Sequence, residues 1–261
     1  MTSHFSRFVS LRGRAVALCL ACLGPGLLGL PACGSRVHAL TAENSSESSG
    51  GPPAPLPDLG SDVVVCGEPG DSAGTDGALA ALAGCHIYRG SLSLGAAVTD
   101  LSPLASLRMV DGSVSSPGYN SDLETLEGLE QLQSVGEFSF FGDGLGGTSG
   151  VRNLREVKGA FRLTRLPNLT DLNGLENLRS TGTIEVSFNG VLVDIDGLSG
   201  LQRVDGDLYI DGNPELTGIG GLMALERVTG DLSIRENPKV PTSEIDALLS
   251  RVAVDGEIHV D

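Results

Sequence analysis

Side chains that could act as a general base are scarce in this chain. It has four histidines, and only His86 and His259 lie beyond the first 61 residues. Nucleophilic and acid–base catalysis need such a base within hydrogen-bonding reach of the reacting group. His86 precedes a long run of strand repeats and His259 lies in the last one, so we expect roughly 30 Å or more between them. The sequence therefore predicts no catalytic residues and a protein that is not an enzyme.

A group of acidic residues is the second candidate for chemistry, and it comprises Asp194, Asp196, Asp205, Asp207 and Asp211. Carboxylates can bind calcium or, in pairs, cleave polysaccharides. The acids do not recur at one position of the repeats, because the residue after each repeat glycine is Ser91, Ser113, Glu137, Ala160, Thr183, Asp207, Asp231 or Glu257. We interpret them as solvated turn carboxylates, in preference to a calcium site, and predict no metal and no cofactor.

A glycine-rich segment, residues 141–150, is the third candidate. Its glycines are typical of a loop that holds a phosphate group, but the lysine and the following helix of such a loop are missing. We therefore expect a flexible, bulged-out surface loop here.

The elements that would position these residues follow a repeat of glycine, any residue, apolar, any residue, apolar. Its glycines are spaced by 22 to 26 residues, a period typical of solenoid proteins. They are Gly90, Gly112, Gly136, Gly159, Gly182, Gly206, Gly230 and Gly256.

One repeat, Gly206 to Thr229, shows why the chain must stack. Leu208 and Ile210 alternate with polar residues, which places both on one face of a short strand. Apolar residues then recur every third position along an irregular or 3₁₀-like path, and a single repeat cannot bury them. We predict an all-β solenoid, a right-handed leucine-rich parallel β-helix of about eight coils with short capping helices near residues 76–83 and 243–251. Ser243 or Thr242 is the expected N-cap of the second helix.

Asparagine and proline recur at two further positions of the repeat. Asn189, Asn213 and Asn237 each lie seven residues after the repeat glycine, and proline follows the last two of them. Asparagine at a stacked turn can satisfy backbone groups of neighbouring coils. We expect a structural role for these residues.

The outward strand face is the remaining candidate site. Its residues lie three after each glycine and are Ser93, Ser115, Ser139, Arg162, Glu185, Tyr209, Ser233 and His259. Solenoids often bind through such an extended face. We predict a ligand site for a protein or a glycan at Arg162, Glu185, Tyr209 and the nearby Phe188, with an ordinary solvated face as the alternative.

The N-terminus has the features of an export signal. Arg7, Arg12 and Arg14 precede an apolar stretch that is too short to span a bilayer comfortably. It ends in Leu30-Pro31-Ala32-Cys33, which resembles the bacterial lipobox, although Pro31 departs from that pattern. The resemblance implies that residues 1–32 are a signal peptide and that Cys33 is lipidated. An ordinary signal peptide cut elsewhere is the alternative.

Residues 33–61 are rich in serine, glycine and proline, and they predict a disordered tether between the lipid and the folded domain, residues 62–261. Of the five cysteines, two leave with the signal and one carries the lipid. Cys66 and Cys85 remain, and an even pair in an exported chain implies a disulfide.

The charge of the chain restricts its partners. The formal net charge is −16, and loss of the three signal arginines makes it −19. This argues against nucleic acid and against direct contact with anionic membrane surfaces. The oligomeric state is left open by the sequence.

The repeats resemble the receptor L domain, a right-handed β-helix. The resemblance rests on Cys85-His-Ile-Tyr-Arg-Gly90 and on the segments Gly206 to Leu216 and Gly230 to Val240. A competing likeness to the leucine-rich repeat of internalin-like adhesins rests on Val98 to Leu107. In that repeat an aliphatic residue follows asparagine by two positions, whereas here Leu192, Leu216 and Val240 follow by three, which favours the L domain.

Together these features predict a lipid-anchored surface protein, exported to the cell envelope and held at the outer membrane or cell surface. We expect it to bind a protein or a carbohydrate. The alternatives are a structural envelope lipoprotein without a specific ligand and, less favoured, a polysaccharide-active β-helix enzyme.

Overall fold

The computed structural model describes residues 62–96, 98–116, 118 and 122–261. All of them lie in one compact unit, Ser49–Asp261. The predicted signal peptide, Cys33 and the tether lie outside the described residues. In the described part, no helix combines the length and the apolar character needed to cross a membrane.

The described chain is mostly β, with few helices. The strands are β1 (Val65–Cys66), β2 (Ser72–Ala73), β3 (Ile87–Tyr88), β4 (Ser91–Ser93), β5 (Met109–Ser115), β6 (Ser134–Phe141), β7 (Glu156–Val157), β8 (Phe161–Thr164), β9 (Ser180–Thr181), β10 (Ile184–Ser187), β11 (Arg203–Val204), β12 (Leu208–Asp211), β13 (Arg227–Val228), β14 (Leu232–Arg235), β15 (Ala253–Val254) and β16 (Ile258–Val260). The two α-helices are α1 (Asp76–Ala80) and α2 (Thr242–Leu249), and the 3₁₀ turns are Ser102–Leu104, Ser149–Val151, Asp196–Leu198 and Gly220–Leu222.

All these strands belong to one parallel sheet with two columns of strands. One column runs β7, β9, β11, β13, β15, and the other runs β8, β10, β12, β14, β16. The columns join because the long strand β6 pairs with both β7 and β8. Each strand pairs with its equivalent in the next repeat, as Leu208 does with Leu232. The prediction of a mostly β chain with a parallel sheet is confirmed.

The aliphatic residues of the repeats fill a continuous core. Leu208, Ile210, Leu216, Ile219 and Leu222 are all fully buried. The core also contains Phe138 and Phe140 of β6 and Phe161 of the neighbouring strand β8. The rings of Phe138 and Phe161 are stacked, with 5.3 Å between their centroids. Burial of each such side chain stabilises the fold by about 1.5–3 kcal/mol relative to leaving it exposed.

The strand glycines are required because successive repeats approach closely. A Cβ at Gly182 would lie 2.5 Å from the carbonyl oxygen of Gly159 in the preceding repeat. A second set of glycines, which the sequence pattern did not reveal, lies outside the strands. Each of them packs against a backbone carbonyl of the preceding repeat. The clearest members of this set are Gly128, Gly150, Gly197 and Gly221.

Asn189, Asn213 and Asn237 form a buried asparagine ladder, as the sequence predicts. The side-chain oxygen of Asn213 accepts from the backbone N–H of Asn189 at 3.0 Å, and its Nδ2 donates to the carbonyl of Val186 at 3.0 Å. Asn237 bonds to the N–H of Asn213 and to the carbonyl of Ile210 in the same way. Each asparagine thus ties its own repeat to the one before it.

The N-terminal helix and the disulfide close one end of the described chain. The side chain of Thr75 caps α1 by accepting from the N–H of Ala78, and α1 ends at Ala80, earlier than predicted. Cys66 and Cys85 form the predicted disulfide, with their Cα atoms 6.0 Å apart. This bond links β1 to Cys85, which lies just before β3.

The second helix differs from the prediction in its cap and its place. Pro241 occupies the N-cap position and offers no side-chain hydrogen bond, so neither Thr242 nor Ser243 caps α2. The Glu244 carboxylate instead accepts from the backbone N–H of Ile219 in the preceding repeat. Because β15 and β16 follow α2 and are the last strands of the sheet, this helix lies within the seventh repeat, between Gly230 and Gly256, instead of beyond the last repeat.

The glycine-rich loop is packed, and the prediction of a bulged-out loop is wrong. Leu145 is fully buried, the N–H of Gly146 donates to the carbonyl of Glu124, and Asn168 donates to the carbonyl of Gly144. Asp143, almost fully buried, accepts from the Ser116 hydroxyl at 2.6 Å. Leu145 supplies the apolar side chain that the surrounding glycines lack, which holds the loop against the core.

Candidate functional site

The residues three positions after each strand glycine form a continuous row of cross-strand partners, which we call the outer ladder. Its order is Ser93, Ser115, Ser139, Arg162, Glu185, Tyr209, Ser233 and His259, each paired with the next. The alternation of the strands explains this arrangement, since their neighbours on either side point into the core. Arg162, Glu185 and Tyr209 therefore lie side by side.

Arg162 lies between two carboxylates. Its Nη1 is 2.6 Å from Glu137, and its Nε is 3.6 Å from Glu185. All three side chains are partly exposed, which limits each ion pair to about 0–1 kcal/mol. Glu137 lies on β6, two residues before Ser139, which is the cross-strand partner of Arg162. The sequence pattern therefore did not associate Glu137 with Arg162. The two pairs orient the guanidinium while its side chain stays 41% exposed.

Tyr209 is the aromatic member of the outer ladder. Burial raises the pKa of its phenol, and the carboxylates of Asp207, Asp231 and Glu185 raise it further. The phenol also hydrogen-bonds to Asp207. An uncharged hydroxyl beside carboxylates is a hydrogen-bond donor and presents a flat apolar ring to solvent, which suits contact with a protein or a sugar.

Ser233 departs from the expectation of an open face. It is fully buried, because the Asp211 carboxylate accepts from its hydroxyl at 2.9 Å and Arg235 Nε donates to its oxygen at 3.0 Å. These two side chains come from the next outward position of their strands and cover the serine. The exposed part of the outer ladder near Tyr209 therefore ends at β14.

Phe188 does not lie on the outer ladder. It follows the end of β10 in a left-handed backbone conformation with φ of 59°, and half of its surface is exposed. Its ring is 5.5 Å from the Arg165 guanidinium and covers Gly212, where a Cβ would lie 2.7 Å from Cδ1 of the ring. The predicted set of four residues thus divides into three neighbours on the strand face and one residue at its margin.

The acidic residues serve the backbone. One carboxylate oxygen of Asp207 accepts from the N–H of Asp231, and Asp231 accepts in turn from the N–H of Glu257. Asp205 pairs with Arg203, and Asp194 accepts from the N–H of Asp196. The interpretation as solvated turn carboxylates therefore misses a regular role, in which side chains after the strand glycine tie one repeat to the next.

Nothing in the described ranges groups three or more histidine, cysteine, aspartate or glutamate side chains in a way that could hold a metal ion. His86 accepts from the N–H of Val64 at one end of the sheet. His259 lies on the last strand, 3.4 Å from Glu257. The two histidines are thus at opposite ends of the strand order.

A shallow cavity of about 650 Å³ lies beside the glycine-rich loop, away from the outer ladder. Glu124, Asp171 and Asn168 contribute its charged and amide groups. Asp171 accepts from the N–H of Asn173 and the hydroxyl of Thr170, and Asn168 donates to Gly144. These bonds give the polar side chains a role in holding turns.

No protein-family model matches this chain, and no curated protein matches it significantly. The resemblances to the receptor L domain and to the lipobox rest on the residues quoted for them above.

Proposed function

We propose that this protein is a lipid-anchored binding module of the cell surface. Residues 1–32 would direct export, Cys33 would carry the lipid, and residues 33–61 would hold the folded domain away from the envelope. The folded domain is proposed to be a right-handed leucine-rich β-helix of about eight coils, of the receptor L domain type. It would present its outer ladder to a protein or a glycan.

One observation carries this proposal: Arg162, Glu185 and Tyr209 are consecutive cross-strand partners on a partly exposed face. A guanidinium, a carboxylate and a phenol in one row offer donors, an acceptor and a flat ring at intervals of about 4.8 Å. The parallel sheet beneath holds these groups without the entropy loss that a flexible loop would suffer on binding. Such a row suits recognition of an extended chain, either a peptide or an oligosaccharide.

The test is capture of native envelope proteins and screening of a glycan array with the full chain. Wild type is compared with Arg162→Ala, Tyr209→Ala and the control Arg203→Ala, which removes an exposed arginine from the other strand column. We expect a partner that both ladder variants lose and the control retains. Retention of every partner by both ladder variants would refute the assignment of this face.

The alternative is a structural envelope lipoprotein, and one observation favours it. Arg162 is already neutralised by Glu137 and Glu185, as in an ordinary solvated surface. This alternative predicts that ladder variants leave cells unchanged while Cys33→Ser disturbs the envelope. The same set of strains distinguishes the two functions, because the binding proposal requires a phenotype from Tyr209→Ala.

A further inference from the structure

The chain turns in a left-handed conformation at the same position of six consecutive repeats. These residues lie six after the strand glycine, and we call them the left-handed ridge: Gly118, Gly142, Arg165, Phe188, Gly212 and Glu236, with φ between 55° and 98°. Glycine adopts this conformation freely, whereas residues with a Cβ are strained in it. Three positions nevertheless carry an arginine, a phenylalanine and a glutamate. Strained residues of this kind often mark functional surfaces.

The backbone holds the ridge in line. The N–H of Arg165 donates to the carbonyl of Ser187 at 3.1 Å, that of Phe188 to Asp211 at 2.9 Å, and that of Gly212 to Arg235 at 2.9 Å. Each of these three residues is thus tied to the last strand residue of the next repeat. Successive ridge side chains therefore follow one another at intervals of about 4.8 Å.

The three strained side chains are all exposed and unlike in chemistry. The Arg165 guanidinium lies between two rings, 5.7 Å from the centroid of Phe141 and 5.5 Å from that of Phe188. Within the described part of the chain, neither the guanidinium of Arg165 nor the carboxylate of Glu236 has an ion pair or a hydrogen bond. The ridge therefore has a cation without an ion pair near one end, a free carboxylate at the other, and between them the Phe188 ring, which covers Gly212.

We propose that this ridge is an interface between two copies of the chain, packed antiparallel about a two-fold axis. An axis between Phe188 and Gly212 brings Arg165 opposite Glu236 of the second copy, and the same pair forms again by symmetry. Phe188, whose ring covers Gly212 of its own chain, then faces the Phe188 ring of the second copy across the axis. The ridge of one copy therefore places its charges opposite charges of the other sign when the second copy runs antiparallel to it.

The same geometry sets the strength of the contact. Only four consecutive ridge positions participate, which is less surface than the roughly 1,000 Å² of a stable interface. The formal charge of −16 on each chain also opposes association at low salt. The dimer is therefore weak and reversible. It goes beyond the proposed binding function and does not depend on it, because the outer ladder contributes no residue to the contact.

Sedimentation velocity of the full chain over a range of concentrations tests this interface. Wild type is expected to associate, whereas Arg165→Glu and Glu236→Arg are each expected to weaken association by about tenfold or more, because like charges then face each other twice. An equimolar mixture of the two variants should associate again, since both contacts become attractive. Phe188→Gly should weaken association while keeping the fold, because glycine occupies the equivalent positions at 142 and 212.

The charge control for Arg165→Glu is Arg203→Glu, which makes the same change in net charge away from the ridge and should associate like wild type. Thermal unfolding followed by circular dichroism verifies that each variant is folded. A wild-type chain that stays monomeric up to its solubility limit would overturn the proposal, and so would a mixture of folded charge variants that fails to associate. Neither result bears on ligand binding by Arg162 and Tyr209, which the capture experiment measures separately.

Discussion

Replacement of Asn213 by alanine tests whether the asparagine ladder stabilises the stack of repeats. Asn213 is fully buried, and its oxygen accepts from the N–H of Asn189 while its Nδ2 donates to the carbonyl of Val186. Alanine leaves the buried N–H of Asn189 without an acceptor, a loss of about 1–3 kcal/mol, and removes the second bond, worth about 1 kcal/mol. We expect the free energy of unfolding to fall by about 2–4 kcal/mol.

Equilibrium urea unfolding of the full chain, followed by far-ultraviolet circular dichroism, measures this loss. The matched control is Asn177→Ala. Asn177 also donates from Nδ2 to a carbonyl of the preceding repeat, that of Arg152 at 2.8 Å, but it is exposed, so water can replace the bond. The control should lose no more than about 1 kcal/mol. Equal losses for the two variants would refute the view that burial gives the ladder its importance.

Three further measurements probe the repeat contacts, the disulfide and the outer ladder. Gly182→Ala forces its Cβ into the preceding repeat and should destabilise the fold by about 1–3 kcal/mol, whereas Gly190→Ala, with open space around it, should be nearly neutral in the same unfolding assay. Cys66→Ser should lower the free energy of unfolding by roughly 3 kcal/mol, the value for closing a loop of this length, and a reducing agent should then have no added effect. The raised pKa of Tyr209 means that its neutral phenol stabilises the fold; this stabilisation is present below the pKa of the unfolded chain and is lost as the pH rises through the pKa of the folded chain. Tyrosinate absorbance should therefore show a higher titration midpoint for Tyr209 in the folded chain than in the unfolded chain. Asp207→Asn should lower the midpoint of the folded chain.

The parts of the fold that depend on short-range patterns could be predicted from the sequence. Leu208 and Ile210 alternate with polar residues, and this period of two is the direct consequence of strand geometry. The asparagine ladder was predictable for a related reason, since a polar residue that recurs at one position of a stacked turn must serve the stack. The alternation lies within a single repeat, and the recurrence of asparagine is visible when the repeats are aligned in the sequence.

Other features that depend on contact between repeats were not predicted. The two-residue strand Arg203–Val204 is too short to show any period, and it forms only because the equivalent residues of adjacent repeats pair with it. Gly197 and Gly221 are required by carbonyl groups of the preceding repeats, which the local sequence does not reveal. Their regular spacing was a signal, but one that has meaning only after the repeats are stacked.

The candidate site shows the same division. The row of Arg162, Glu185 and Tyr209 follows from strand alternation, and the sequence predicts it. The diagonal approach of Glu137 to Arg162 depends on the relative position of two strands, and the burial of Ser233 depends on side chains that lean over it. Phe188 was grouped with Tyr209 because of its place in the sequence, although the left-handed turn carries it to the margin of the face.

Recurrence separates structural from functional positions in this chain, and the left-handed ridge makes the distinction clear. Where a position keeps one residue type, as glycine and asparagine do, contacts with the preceding repeat explain that residue. At the ridge the backbone conformation is constant while the side chain changes from Gly142 to Arg165 and Phe188. The fold requires only the conformation, which glycine would supply without strain. Arg165 and Phe188 do contact their ridge neighbours, but all three strained side chains stay exposed, and contact with a second copy gives them a role beyond that packing.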